Sequence, residues 1–148
     1  MEDRLTQELI MKTVYIAGPF TAPTPWLIEN NVRRAEELSL KVCALGNVVA
    51  LCPHTMYRFF YGMETANYWY EATLELLRRC DAIIMLNGWE QSTGAVGEHT
   101  EAIELSIPIF TEDQLDLVQD WAKLVLPSQQ EVHNWLQLEK AKRKGHHE

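Results

Sequence analysis

Few of the usual functional signposts occur in this sequence. Its three cysteines, Cys43, Cys52 and Cys80, are odd in number and show no CxxC spacing, which argues against a disulfide framework or a zinc ribbon. Cys52, His54, Cys80 and His99 are too scattered for a dense ligand set, so no metal and no cofactor is expected. Positive charge is scarce: 13 Lys and Arg stand against 21 Asp and Glu, a formal charge of −8. Such a chain repels polyphosphate, which argues against a nucleic-acid polymer as partner but leaves small phosphorylated ligands open. No apolar stretch reaches the roughly 18 residues of a membrane span. Met1-Glu2-Asp3-Arg4 has no basic region leading into a long apolar run. A soluble, unsecreted, cytoplasmic protein without membrane contact is expected. The glycine signatures G-x-G-x-x-G and GKS or GKT are missing, which disfavours dinucleotide and P-loop sites. There is no repeat, low-complexity tract or clear interdomain linker.

What is there reads as one domain over residues 1–148, since 47% hydrophobic residues in 148 positions suffice for one core and leave little for a second. Thr13-Val14-Tyr15-Ile16-Ala17 is a short β-branched, apolar strand ended by Gly18-Pro19. Thr24 caps a helix with Pro25 at its first position. Ile28, Val32, Ala35, Leu38, Val42 and Leu45 recur along it, and Gly46 stops it. A second strand, Val48 to Cys52, ends at Pro53. Helix returns from Ala66, with Trp69, Ala72, Thr73, Leu76, Leu77 and Cys80 on one stripe. Ala82 to Leu86 is the third strand, a helix follows from about Thr93 to Leu105, and Ile107-Pro108-Ile109-Phe110 is a fourth strand whose proline places it at an edge. Residues 112–148 form a helical extension of two helices, about Gln114 to Leu124 and Ser128 to Lys142, the second with a Ser128/Glu131 capping box. A basic, frayed tail runs from Lys140 to Glu148.

Strands alternating with crossover helices give a parallel sheet covered on both faces. The expected fold is a small doubly wound α/β domain, Rossmann- or flavodoxin-like, of four to five strands. Ligands of such sheets bind beyond the strand C-termini. Gly18-Pro19, Pro53-His54, Asn87-Gly88-Trp89 and Thr111 all fall there.

The loop Gly18-Pro19-Phe20-Thr21 offers free backbone N–H groups, a hydroxyl and an aromatic ring, enough to hold a sugar or a phosphate, though Gly-Pro after a strand is equally a plain turn. His54 either contacts a base or phosphate, or is a loop histidine bonded to backbone. Trp89, Tyr57, Phe59, Phe60 and Tyr61 supply stacking surface for a nucleobase or, equally, a subunit interface. The stretch from Tyr57 to Tyr68 has the character of a mobile flap. Trp26, Trp69, Trp121 and Trp135 lie on helical stripes and read as core or interface. The most telling stretch runs from Asp81 to Glu98, an apolar strand, a turn at Asn87-Gly88, then a helix starting at Ser92-Thr93-Gly94. That helix start can receive an anion, and its dipole is expected to favour an ionised Glu98. A carboxylate there can attack an electrophilic carbon or stabilise an oxocarbenium-like one, which is chemistry at a sugar C1′.

Tyr15-Ile16-Ala17-Gly18-Pro19, Cys80-Asp81-Ala82-Ile83, Gly88-Trp89-Glu90-Gln91-Ser92-Thr93-Gly94, Glu98 and Ile107-Pro108-Ile109-Phe110, in this order and spacing, resemble the nucleoside 2-deoxyribosyltransferase superfamily, which includes 2′-deoxynucleoside 5′-monophosphate N-hydrolases. The resemblance covers residues 13 to 111. It implies that Glu98 is the catalytic carboxylate, that Tyr15 orients it, and that Gly18, Ser92 and Gly94 surround sugar and phosphate. Ser92, where the nucleoside transferases carry aspartate, resembles the nucleotide-accepting branch. The resemblance also implies a homodimer or larger homo-oligomer. Leu124, Val125, Leu126, Trp135, Leu136 and Leu138 could supply its surface. One departure stands out: many members carry an aspartate eight residues before the Asp81 position, and here it is Thr73, which cannot protonate a departing base.

The resulting expectation is N-glycosidic bond cleavage of a 2′-deoxynucleoside 5′-monophosphate, or deoxyribosyl transfer between bases. Substrate contacts are expected from Gly18, Pro19, Phe20, Thr21, His54, Thr73, Trp89, Ser92 and Gly94. The alternatives are a nucleotide-binding module that has lost turnover and an NAD-type glycohydrolase.

Overall fold

A computed structural model describes residues 11–60, 62–125 and 128–145. Met1–Arg4, Tyr61, Leu126 and the tail beyond Gly145, all named above, lie outside the described residues. The elements alternate. Strand β1 (Lys12–Ala17) leads to helix α1 (Pro25–Cys43), β2 (Val48–Leu51), a short α2 (Pro53–Met56), α3 (Ala66–Leu77) and β3 (Ala82–Met85). A 3₁₀ turn (Trp89–Gln91), α4 (Thr93–Leu105), β4 (Ile109–Thr111), α5 (Leu115–Ala122) and α6 (Gln129–Gly145) complete it.

Local chemistry sets most boundaries. Thr24, Thr65 and Ser92 each accept a backbone N–H three residues on, at 3.2, 3.1 and 3.2 Å, and so cap α1, α3 and α4. Pro25 sits in the first turn of α1, where its missing N–H removes no helical bond. Gly46, at φ +83°, turns the chain after α1 in a conformation that side chains rarely adopt. Ser128 Oγ accepts the Glu131 N–H at 3.2 Å, one half of the expected capping box. Helix α6 runs on to Gly145, so the basic stretch expected to fray from Lys140 is helical that far. The reason is anchorage: Lys140 Nζ donates to Ile109 O at 2.7 Å, and Arg143 pairs with Asp116.

All four strands are parallel, in the order β2-β1-β3-β4, and form a doubly wound α/β sheet. From β1 the chain crosses to one side to make β2 and to the other to make β3. The strand order therefore reverses between β1 and β3, where such sheets open a crevice at their C-terminal ends. One core joins Val14 and Ile16 to Leu38 and Val42 of α1, Leu117 and Trp121 of α5 and Leu136 of α6. The other joins Tyr15, Ala17, Ile83 and Met85 to Leu74 and Leu77 of α3 and Ala95 and Ala102 of α4. β1 alternates between them residue by residue, as the pleat requires. Among the described residues no helix is long and apolar enough to cross a membrane.

Candidate active site

Helices that follow or precede parallel strands run antiparallel to them, so α3 and α4 both place their N-termini at the C-terminal mouth of the sheet. The turn that delivers α4 is held from outside. Arg34 of α1 donates to Asn87 O at 2.7 Å, Glu112 Oε1 accepts the Asn87 N–H at 2.8 Å, and Gly88 adopts φ +86°. Ser92 then caps α4, and Gly94 faces open space, with no atom within 4 Å of where a Cβ would lie. No bond is formed by the Thr93 and Gly94 N–H groups among the described residues, which leaves two donors at the positive end of a helix.

Glu98 lies in the second turn of α4 and is 8% exposed. The preceding residue, Gly97, lies against Tyr70 of α3. A Cβ there would come within 2.9 Å of the Tyr70 ring, so the missing side chain lets α3 and α4 close on each other. Burial raises the Glu98 carboxyl from 4.5 to about 7, against the opposing influence of the Tyr15 hydroxyl and the His54 ring. The helix dipole, expected to favour the ionised form, fades beyond the first turn, and desolvation is the largest influence on this carboxyl. At neutral pH the group is poised between its two forms.

Tyr15 is fully buried and its hydroxyl has no well-formed hydrogen bond among the described residues. Burial first, and then the Glu98 charge, hold it well above its ordinary pKa, so it stays a neutral phenol beside the carboxylate. Thr73 interacts with the same hydroxyl, while its own Oγ1 donates to Tyr70 O at 2.9 Å. The inward stripe of α3 therefore does bring Thr73 to the Tyr15–Glu98 pair. His54 is 6% exposed. Its Nε2–H donates to Pro19 O at 2.9 Å and its ring meets Phe20 edge-on at 5.7 Å. This is the backbone-bonded arrangement, and it leaves Nδ1 buried without a partner. Burial lowers the His54 pKa, so the ring is neutral at pH 7 and Nδ1 is an acceptor.

Gly18 is held against Leu86, whose Cβ would lie 2.8 Å from an added Cβ. Asn31 anchors the loop through Phe20 O at 3.0 Å, and Thr21 stands exposed at its tip. Trp89 stacks on His99 at 4.3 Å and packs on the α3/α4 core, which takes up one of its faces. The segment after α2 is pinned to α1, with Arg58 Nε donating to Glu29 at 3.1 Å. Arg34, Glu112 and Arg58 carry no local signal in the sequence, because charged residues on amphipathic elements read as solvated faces. Two clefts, of about 1570 and 350 Å³, lie away from this constellation. The larger, lined by Lys12, Asn47, Asp81 and Pro108 among others, sits toward the N-terminal ends of the strands. No group of three His, Cys, Asp or Glu side chains among the described residues could hold a metal ion.

The sequence model of DUF4406, described as a domain of unknown function, matches residues 12–111. The chain belongs to this family. The matched span runs from the first residue of β1 to the last of β4, so the whole sheet and every site residue named above except Glu112 fall inside the DUF4406 region, while Glu112, α5 and α6 lie outside it. No curated protein matches the chain. Among solved structures it is similar to a 2-desoxiribosyltransferase from Leishmania mexicana, with a TM-score of 0.49 and 25% sequence identity. The match covers 68% of this chain and 63% of that one, so the chain spans less than two thirds of that protein.

Proposed function

We propose that this protein cleaves the N-glycosidic bond of a 2′-deoxynucleoside 5′-monophosphate, giving free base and sugar phosphate, with transfer of the deoxyribosyl group to a second base as a related outcome. The observation that carries this reading is Glu98, the one buried carboxyl among the described residues, at the β1/β3 crevice beside a neutral tyrosine, its pKa raised by burial to about 7. Ionised, it attacks C1′ or stabilises its cation as the C1′–N bond breaks. The base departs with the bonding electron pair and takes up a proton from water, since neither Thr73 nor neutral His54 supplies one. Water, or a second base, then attacks C1′ and frees the carboxylate. Tyr15, a neutral phenol coupled to Glu98, orients it. The 5′-phosphate meets the Thr93 and Gly94 N–H groups and the Ser92 hydroxyl, with the Gly18–Thr21 loop against the sugar. Residues 112–148 serve as a helical extension of the one domain, and the protein works as a homo-oligomer.

Incubating the protein with a panel of deoxynucleoside monophosphates and measuring released base tests this directly. We expect release by the wild type and none by Glu98→Ala. Undiminished release by the alanine variant removes Glu98 from the chemistry. The Thr73 hydroxyl, turned to its own helix backbone, favours one second reading, a binding module without turnover. Calorimetric nucleotide binding with no base released over long incubation selects it.

A further inference from the structure

Trp69 joins neither core. Its ring contacts are aromatic and lie on the mouth side: Tyr57 at 4.9 Å, Tyr68 at 5.1 Å and Phe60 at 6.4 Å. Its indole Nε1 is buried with no hydrogen-bond partner among the described residues. Native proteins rarely strand a buried donor, because desolvating it without compensation is unfavourable. Trp69, Thr73 and Leu77 stand at four-residue intervals on one face of α3. Leu77 packs in the same core as Tyr15, and Thr73 interacts with the Tyr15 hydroxyl. Trp69 is thus one helical turn nearer the mouth than Thr73. A nucleotide with phosphate at Thr93 and Gly94 and C1′ at Glu98 sends its base toward α3.

We propose that the Trp69 indole N–H is a specificity-determining donor that hydrogen-bonds a ring carbonyl oxygen of the bound base, under the rings of Tyr57 and Phe60. This assignment rests on the nucleotide reading above. A partner supplied only by the ligand explains why the donor is buried and unpaired in the free protein. It also selects for carbonyl-bearing bases, because a site built to hydrogen-bond a substrate discriminates against analogues that lack the group.

The test uses a probe that cannot be cleaved, a 2′-deoxy C-nucleoside 5′-monophosphate joined to uracil through a carbon–carbon bond, titrated calorimetrically. Trp69→Phe removes the donor together with the five-membered ring that carries it, so the N–H is read from how the loss differs between probes and not from any one affinity. It should bind this probe roughly tenfold more weakly than wild type. For one of the two analogues with a single carbonyl replaced by hydrogen, the two proteins should bind alike. Equal binding of the uracil probe by both proteins, or the same loss on every analogue, overturns the assignment while leaving the glycosidase reading in place. Failure of the wild type to bind the probe at all overturns both.

Discussion

Glu98→Gln exchanges a buried ionisable group for a neutral one of the same shape, and the consequence for stability depends on pH in a defined way. In the folded chain the carboxyl titrates at about 7, against 4.5 when unperturbed. The folded state therefore holds this proton more tightly than the unfolded state. Stability from that difference is complete below pH 4.5 and lost as pH rises through 7. The full difference amounts to about 3 kcal/mol. Glutamine never ionises, so the variant should equal the wild type at pH 4 and exceed it by about 3 kcal/mol at pH 8. In thermal midpoint that is roughly 6–12 °C for a chain of this size. Urea unfolding of both proteins at pH 4, 6 and 8, with the difference taken at each pH, isolates Glu98 and the His54 and Tyr15 groups coupled to it, because the more distant titrating groups cancel. A difference that does not change with pH, or a variant less stable at pH 8, would show that the carboxylate is well solvated or firmly paired, and the poised-acid account of the site would fall with it.

Three further outcomes follow from other parts of the structure. If ionised Glu98 is the reacting form, kcat/KM for base release should rise with pH along a limb centred near 7, and a flat profile from pH 5 to 9 contradicts it. Gly18→Ala drives a methyl to within 2.8 Å of the Leu86 Cβ, which belongs to a side chain only 1% exposed. Overpacking of this kind costs about 1–3 kcal/mol, and an unchanged denaturation midpoint would show that the loop yields freely. Lys12 Nζ donates to Trp121 O at 3.0 Å and Leu124 O at 2.9 Å and sits over the Trp121 ring. Lys12→Met should therefore lower stability by about 2 kcal/mol, and chemical denaturation equal to wild type would make that tether irrelevant.

How much of this was legible in the sequence follows from how far each signal reaches along the chain. Thr24-Pro25 and Ser92-Thr93 mark the starts of α1 and α4 because capping is complete within four residues. Strand alternation with crossovers implied the parallel sheet, but the order β2-β1-β3-β4 is a property of packing, written in no single segment. Glu98 was picked out by its place after the Gly-rich turn, yet its burial was not readable. Glu98, Glu101 and Glu104 share one helical spacing, and the packing of α4 on distant strands through Ala95 and Ala102 decides that the first of them is buried. Trp69 read as core or interface since periodicity reports a ring's direction and not whether its N–H has a partner. The Arg34–Asn87–Glu112 clamp joins residues of three distant segments, and no local pattern encodes it.

Gly97 makes the gap between α3 and α4 as narrow as backbone and a tyrosine ring allow. One hydrogen atom stands there where every other amino acid has a carbon. A larger residue meets the hydroxyl end of Tyr70, a ring 37% exposed, so a single codon would swing that ring outward and change the face that the helix pair shows to solvent.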